Sequence, residues 1–319
     1  MTQLRVGLVG AGSMGSLHAR TVASNESSQL VWVADPDTAN AVRLAERWGA
    51  KSIAEADLAS VDAVVVAAPT EFHEKSGQAI IAAGKPLLME KPLGSNLAQS
   101  KSLVDAAMAK GTPLMCGLLE RFNPALRTAA EIVTNPVGMK STRHSPYAPR
   151  IKTGVAWDLL IHDVDFCLRL FAEMPHAVTA LTSRVNPNSA DGAEDVVECS
   201  VRFSGDRLGS MSASRVAHTK TRAVTIFEID RALEIDLLRQ DITIYRHVDN
   251  RVGELGESSY LQQTIIEIPV VRHLGEPLAH QWQHFLNLVN GQVDVDAERA
   301  SILPAHEVVA RCLEVDGKA

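Results

Sequence analysis

Leu4-Arg5-Val6-Gly7-Leu8-Val9-Gly10-Ala11-Gly12-Ser13-Met14-Gly15 is the stretch on which the fold turns. The apolar run Leu4–Val9 predicts a buried strand that Gly10 ends, and Ser13–Ala23 then reads as a helix. Three glycines fall between them in G-x-G-x-x-G spacing. Gly10 permits the tight turn, Gly12 lets the backbone approach a pyrophosphate, and Gly15 lets helix and strand pack closely. Ser13 and Met14 lie on the first helical turn, where free N–H groups and the helix dipole favour an anion. A second strand, Leu30–Ala34, ends at Asp35, 20 residues after Gly15. A carboxylate there accepts hydrogen bonds from ribose hydroxyls and repels a 2′-phosphate, so NAD is expected as cofactor over NADP. The glycine pattern alone is a weak signal; strand, glycines, helix and acid in that order make it specific.

Outward from this stretch the alternation continues. Helices are expected at Thr38–Trp48, Glu71–Ala83 and Leu97–Lys110, and strands at Val61–Ala68, Pro86–Met89 and Pro113–Cys116. Gly49, Gly84 and Gly111 each follow a helix where a left-handed residue closes it. Repeated βα units predict a doubly wound parallel sheet, a Rossmann domain over residues 1–120. Past Cys116 the pattern changes. Helices at Pro124–Thr134 and Ala156–Phe171 are joined by a strand at Val137–Arg143. Seven strand-like runs follow: Ala177–Arg184, Val196–Phe203, Leu208–Ser214, Ala223–Phe227, Leu233–Leu237, Ile242–His247 and Thr264–Ile268. Two helices, Pro277–Val289 and Ala297–Glu314, close the chain. Residues 121–319 are therefore expected to form a second α/β domain, with a large, mostly antiparallel sheet covered by helices on one face. Self-association through the other face is the expected way to cover it.

Composition narrows the functions. Of 319 residues, 46% are hydrophobic and 22% charged, a globular balance, and the net charge of -7 gives no footprint for nucleic acid. No apolar run reaches the length of about 18 residues that marks a membrane helix, and Met1–Arg5 lacks the layout of a signal peptide. The four scattered cysteines contain no CxxC pair and read as reduced thiols of a cytoplasmic protein; a nucleophilic Cys167 has no local support.

Two further clusters carry chemistry. Glu90-Lys91-Pro92 follows the strand Pro86–Met89, which puts Lys91 at the carboxyl edge of the sheet, where ligands bind in open α/β folds. A lysine there can hold a substrate hydroxyl; by itself it is an ordinary turn lysine. In Trp157-Asp158-Leu159-Leu160-Ile161-His162-Asp163-Val164-Asp165, Asp158 and His162 are four apart, so a carboxylate and an imidazole share a helix face, the arrangement of a general base. Asp165 shares roughly that face, so a metal site or a merely charged helix stands as an alternative. No metal is expected, because a second histidine or a cysteine is missing.

Together these motifs resemble the Gfo/Idh/MocA oxidoreductase family along the whole chain. The resemblance implies a Rossmann domain with an open-faced α/β domain, dimeric or tetrameric through that sheet. It also implies a catalytic set of Lys91, Asp158 and His162, with Pro92 matching a proline that is often cis in the family. Ala68, Pro69, Thr70 and His73 match the loop that runs past the cofactor, and Glu90, Lys91 and Arg121 complete the implied cofactor set. Many members carry a run of glycines before the aspartate, whereas only Gly154 remains here. A finer resemblance, to UDP-N-acetylglucosamine 3-dehydrogenases, rests on Glu120–Pro124, Arg143–Arg150 and Asp158–Asp165. It implies oxidation of a sugar 3-hydroxyl. Arg143 and Arg150 are then expected to hold a diphosphate, with Tyr147, Lys91 and His162 also on the substrate. The alternatives are a polyol or inositol dehydrogenase, a catalytically silent NAD-binding regulator, and a glycosidase that uses NAD transiently.

Overall fold

The apolar runs of the first third of the chain lie side by side in one sheet. The computed structural model describes residues 3–252 and 259–315. Strands β1 (Leu4–Val9), β2 (Ser28–Ala34), β3 (Lys51–Ile53), β4 (Ala63–Val66), β5 (Leu87–Met89) and β6 (Leu114–Cys116) alternate with helices α1 (Ser13–Ala23), α2 (Thr38–Trp48), α3 (His73–Ala82) and α4 (Leu97–Lys110). The strands order as β3-β2-β1-β4-β5-β6, all parallel. All four residues of β4 are buried, as interior parallel strands require. The chain leaves β1 toward β2 on one side and reaches β4 on the other. The carboxyl ends of β1 and β4 therefore flank the point where strand order reverses, the usual ligand crevice of such sheets. The short strand β3 was not expected, since its three residues sit at the sheet edge and none is buried.

The second sheet follows α5 (Pro124–Ile132). It contains β7 (Gly138–His144), then β8 (Ala177–Ser183), β9 (Val196–Arg202), β10 (Leu208–Ser214), β11 (Thr221–Phe227), β12 (Ala232–Asp236), β13 (Asp241–Val252) and β14 (Ser259–Glu267). Its order is β14-β13-β12-β11-β7-β10-β9-β8, antiparallel except for the pair β7–β10. Burial alternates along β9, with Val197, Cys199 and Val201 inward and Glu198, Ser200 and Arg202 outward, so one face is covered and the other open. Helix α6 (Ile161–Phe171) packs on β7 and β10. The expected single helix Ala156–Phe171 opens instead with a π-helical turn over Ala156–Leu160, in which Ile161 N–H donates to Ala156 O five residues back.

The end of the chain corrects the expected domain boundary. Helices α7 (Pro277–Val289) and α8 (Val295–Ala300), with most of α9 (Leu303–Val315), belong to the same compact unit as the residues up to Leu119. The second unit is Glu120–Glu276 plus the segment from Arg311. The cause is tertiary. Buried Trp282 donates to Ser28 Oγ at 3.1 Å, and buried Arg299 donates to Ala107 O and Thr112 O at 2.8 and 3.0 Å. The helix expected over Ala297–Glu314 is two helices, because Pro304 sits in the first turn of α9, where its missing N–H costs nothing.

Candidate active site

The candidate residues divide between the two units. In the first, Gly10 takes φ +102°, and a Cβ there would lie 2.5 Å from Ala67 O. A Cβ on Gly15 would lie 2.0 Å from Gly10 O, so only glycine lets α1 start this close to the turn. Gly12 is exposed, and a Cβ there would meet nothing within 4 Å. No side chain caps α1 and its first turn holds no acid, so the N–H groups beside Ser13 and Met14 are left for an anion. This cradle fits a dinucleotide pyrophosphate. Asp35 accepts from Ala11 N at 2.6 Å and from Asp37 N at 2.8 Å, which fixes the carboxylate at the tip of β2. Ala68, Pro69 and Thr70 follow β4, half-buried to exposed, on the loop leading into α3.

The loop Glu90-Lys91-Pro92-Leu93 leaves β5, and its Lys91–Pro92 bond is cis. Three buried histidines hold it. His18 of α1 lies 2.7 Å from Glu90 Oε1. His73 lies 2.9 Å from Pro92 O through Nδ1 and 2.9 Å from Ala68 O through Nε2. His306 accepts from Leu93 N at 3.1 Å. Burial works against a charged Glu90, but the hydrogen bond and charge of His18, with Lys91 adjacent, outweigh it and hold the carboxyl below its ordinary value. The imidazole of His73 and the carboxylate of Glu90 are both buried and joined to this loop, and so brace it from below. Lys91 itself is half-buried.

In the second unit, the π-helical turn and α6 carry Asp158 and His162. Val155 N donates to Glu194 O at 3.0 Å and Ala156 N to Glu194 Oε1 at 2.6 Å, so one buried residue holds the first two N–H groups of this turn. The same carboxylate explains Gly154, where a Cβ would lie 2.1 Å from Glu194 Oε2. Arg215, buried at the end of β10, donates to Asp158 Oδ2 at 3.2 Å. His162 is buried, at 9% exposure.

The other acids of this segment are committed to arginines. Arg143 donates from Nε and Nη2 to Asp163 Oδ1 at 3.0 and 2.7 Å, and from Nη1 to Glu120 Oε1 at 2.7 Å. At 3% exposure it cannot meet a diphosphate, which corrects the expectation from sequence. Burial opposes its charge, but Asp163 and Glu120 outweigh that and raise its pKa further. Arg121 is likewise buried against Asp165 at 2.6 Å, not presented to a cofactor. Asp165 is thereby spent, and among the described residues no three metal-ligating side chains cluster. Tyr147 donates to Asn188 O at 2.7 Å, and Arg150 is exposed on the same loop. Cys167 is buried, and burial with nearby Asp163 pushes its thiol up, the opposite of nucleophile activation.

The family models agree with both halves. "Oxidoreductase family, NAD-binding Rossmann fold" matches residues 4–118, and "GFO/IDH/MocA C-terminal domain" matches residues 133–235. The chain belongs to the Gfo/Idh/MocA oxidoreductase family. UDP-N-acetylglucosamine 3-dehydrogenase of Acidithiobacillus ferrooxidans is 29% identical over 77% of this chain and 78% of its own. Inositol 2-dehydrogenase 4 of Saccharopolyspora erythraea is 36% identical over 60% and 61%. Among solved structures, the A. ferrooxidans enzyme superposes with a TM-score of 0.84 at 25% identity, covering 100% of this chain and 98% of its own. GenD2 of gentamicin A biosynthesis, solved with NAD, shares the fold with a TM-score of 0.83 at 22% identity, covering 99% and 95%. As a member of this family the chain is an NAD-binding oxidoreductase, and among its described residues no helix is long and apolar enough to cross a membrane.

The family motifs did not reveal Glu194, Arg215, His18 or His306, whose partners are distant in sequence. Glu194 yields a prediction. Glu194→Ala removes an acceptor from the head of the helix that carries Asp158 and His162, a loss worth about 0.5–2 kcal/mol for a helix cap. If that looseness reaches His162, kcat falls about tenfold while the Kd for NAD holds. Glu194→Gln, which keeps an acceptor oxygen, restores most of it; equal kcat in all three enzymes would show that the cap does not matter.

Proposed function

We propose that this oxidoreductase oxidises a secondary hydroxyl of a sugar or nucleotide sugar, with Lys91, Asp158 and His162 as its catalytic set. What supports the reading is that Asp158 and His162 lie four residues apart at the head of a braced helix, with Asp158 held by Arg215, in a chain whose other unit holds a dinucleotide cradle. When bound, NAD supplies the hydride acceptor. His162 takes the hydroxyl proton, Asp158 orients its imidazole, and Arg215 fixes Asp158. Lys91 donates to the substrate oxygen and stabilises its developing charge. The best fit among substrates is the 3-hydroxyl of a UDP-N-acetylhexosamine, supported by the A. ferrooxidans relative. An inositol-type polyol is the second reading, favoured by the burial of Arg143, which removes one diphosphate contact. The test is NADH formation with UDP-N-acetylglucosamine, UDP-N-acetylgalactosamine, myo-inositol and free hexoses. Turnover of UDP-sugars selects the first reading and turnover of polyols the second; no NADH with any of them overturns both.

Asp35 yields a cofactor prediction. Wild type is expected to use NAD with a kcat/KM at least about tenfold above that for NADP, since its fixed carboxylate repels a 2′-phosphate. Asp35→Ser narrows that gap. A wild-type preference for NADP would contradict the assignment.

We also propose that the open face of the second sheet is where copies of the chain meet. Its support is the outward row of β9 and exposed Leu208 and Phe227 on β10 and β11.

A further inference from the structure

The acids of the catalytic segment each have an arginine: Asp158 has Arg215, Asp163 has Arg143, and Asp165 has Arg121. One arginine of the same region is different. Arg222 is the second residue of β11 and pairs in register with Arg143 on β7. Its Nη1 donates to His144 O at 2.7 Å and Thr221 O at 3.0 Å, and its Nη2 to Ser145 Oγ at 2.8 Å. All three acceptors are neutral. Among the described residues no carboxylate lies within ion-pair distance of it, whereas Arg121, Arg143 and Arg215 are matched.

Its position ties it to the substrate half of the site. His144 ends β7, and Ser145 opens the loop that leads to Gly154 and the catalytic helix. Ser145 N donates to Ser214 O, next to the Arg215 that holds Asp158. Arg222 feels the charge of Asp158 as well. The side chain is half-buried, so it is held by the protein and still open on one side. Burial and the facing charge of Arg143 outweigh the more distant acids and pull its pKa down to about 10, the mark of a cation whose charge is poorly compensated. A guanidinium fixed in this way, with its carbonyl contacts setting the plane, suits a planar or tetrahedral oxyanion.

We propose that Arg222 binds an anionic group of the substrate, a phosphate or a carboxylate, and is a specificity residue of the second unit. The proposal rests on the reading that this segment handles substrate, and it supplies the anion contact that buried Arg143 cannot. An anion there would give Arg222 the partner that each neighbouring arginine already has.

Binding separates this proposal from the question of turnover. Calorimetry on NAD-saturated protein uses two probes, UDP for the phosphate source and D-glucuronate for the carboxylate source. Wild type is expected to bind one of them, and which one names the source. Arg222→Gln weakens that binding about ten- to a hundredfold, the loss of a charge-assisted contact. Arg222→Lys, which keeps the charge without the planar fork, recovers part of it. If Arg222→Gln does not fold, as judged by loss of NAD binding, Arg222→Lys decides alone: weakening of at least about threefold supports the proposal. It is overturned if neither probe binds wild type, or if the folded variants bind as tightly as wild type. Failure of the dehydrogenase reading shows separately, as absence of NADH with every sugar.

Discussion

His162→Ala lowers kcat for the oxidised sugar by about 10²–10⁴, the usual contribution of a positioned general base, and leaves the Kd for NAD near that of wild type. The two halves of this result come from different parts of the chain. The imidazole belongs to the second unit, at the head of α6, while the pyrophosphate cradle is Gly10–Gly15 in the first. Because the base must be unprotonated to accept the hydroxyl proton, wild-type kcat/KM rises with pH through one ionisation, and His162→Ala loses that rise. A folded His162→Ala enzyme with wild-type turnover would move the role elsewhere, first to Tyr147, whose loop leads to the same helix.

Lys91→Ala costs a similar factor, with a smaller rise in the Kd for NAD. Lys91 sits on a loop fixed at Glu90, Pro92 and Leu93 by His18, His73 and His306, so its ammonium is placed by buried structure. That bracing separates a chemical role from a packing one. If Lys91 acts through its charge, added methylammonium restores part of the turnover of Lys91→Ala, because the braced loop still presents the vacated position. Absence of rescue, with the variant folded and NAD still bound, would assign Lys91 to packing. If Lys91 and His162 belong to one catalytic set, as proposed, the double variant falls well short of the product of the single losses.

The parts of the fold that were legible share a physical origin. The β1-loop-α1 stretch and its Asp35 are set by local sterics: three glycines, one strand end and one helix start. Helices α1, α2, α4 and α7 began and ended where their periodicity and caps put them, as did β10 on its alternation. Other elements drifted by a few residues, because a strand such as β13 continues past its apolar run wherever a neighbour pairs with it. What stayed hidden was long-range. Nothing local announces that Trp282 meets Ser28, and so that the last helices rejoin the first unit. An arginine near the Asp158–Asp165 segment looks the same in sequence whether it is spent on acids, like Arg143, or bound only to neutral acceptors, like Arg222. The acceptors that decide this come from Asp163 and Glu120 on one side and from His144 and Ser145 on the other. Gly154 stood out as the remnant of a glycine run, but its reason, the Glu194 carboxylate against its Cα, is 40 residues away.

As an NAD-binding oxidoreductase, this chain is expected to move a hydride from a substrate carbinol carbon to NAD. This is tested most directly with a sugar of the NADH panel deuterated at its carbinol carbons. The deuterium of one carbon is expected in the reduced nicotinamide, one per ketone formed, with none of it washed into solvent. His162→Ala is expected to slow this transfer without changing its stoichiometry. Deuterium released to water, or a ketone formed with no label in the nicotinamide, would contradict direct hydride transfer.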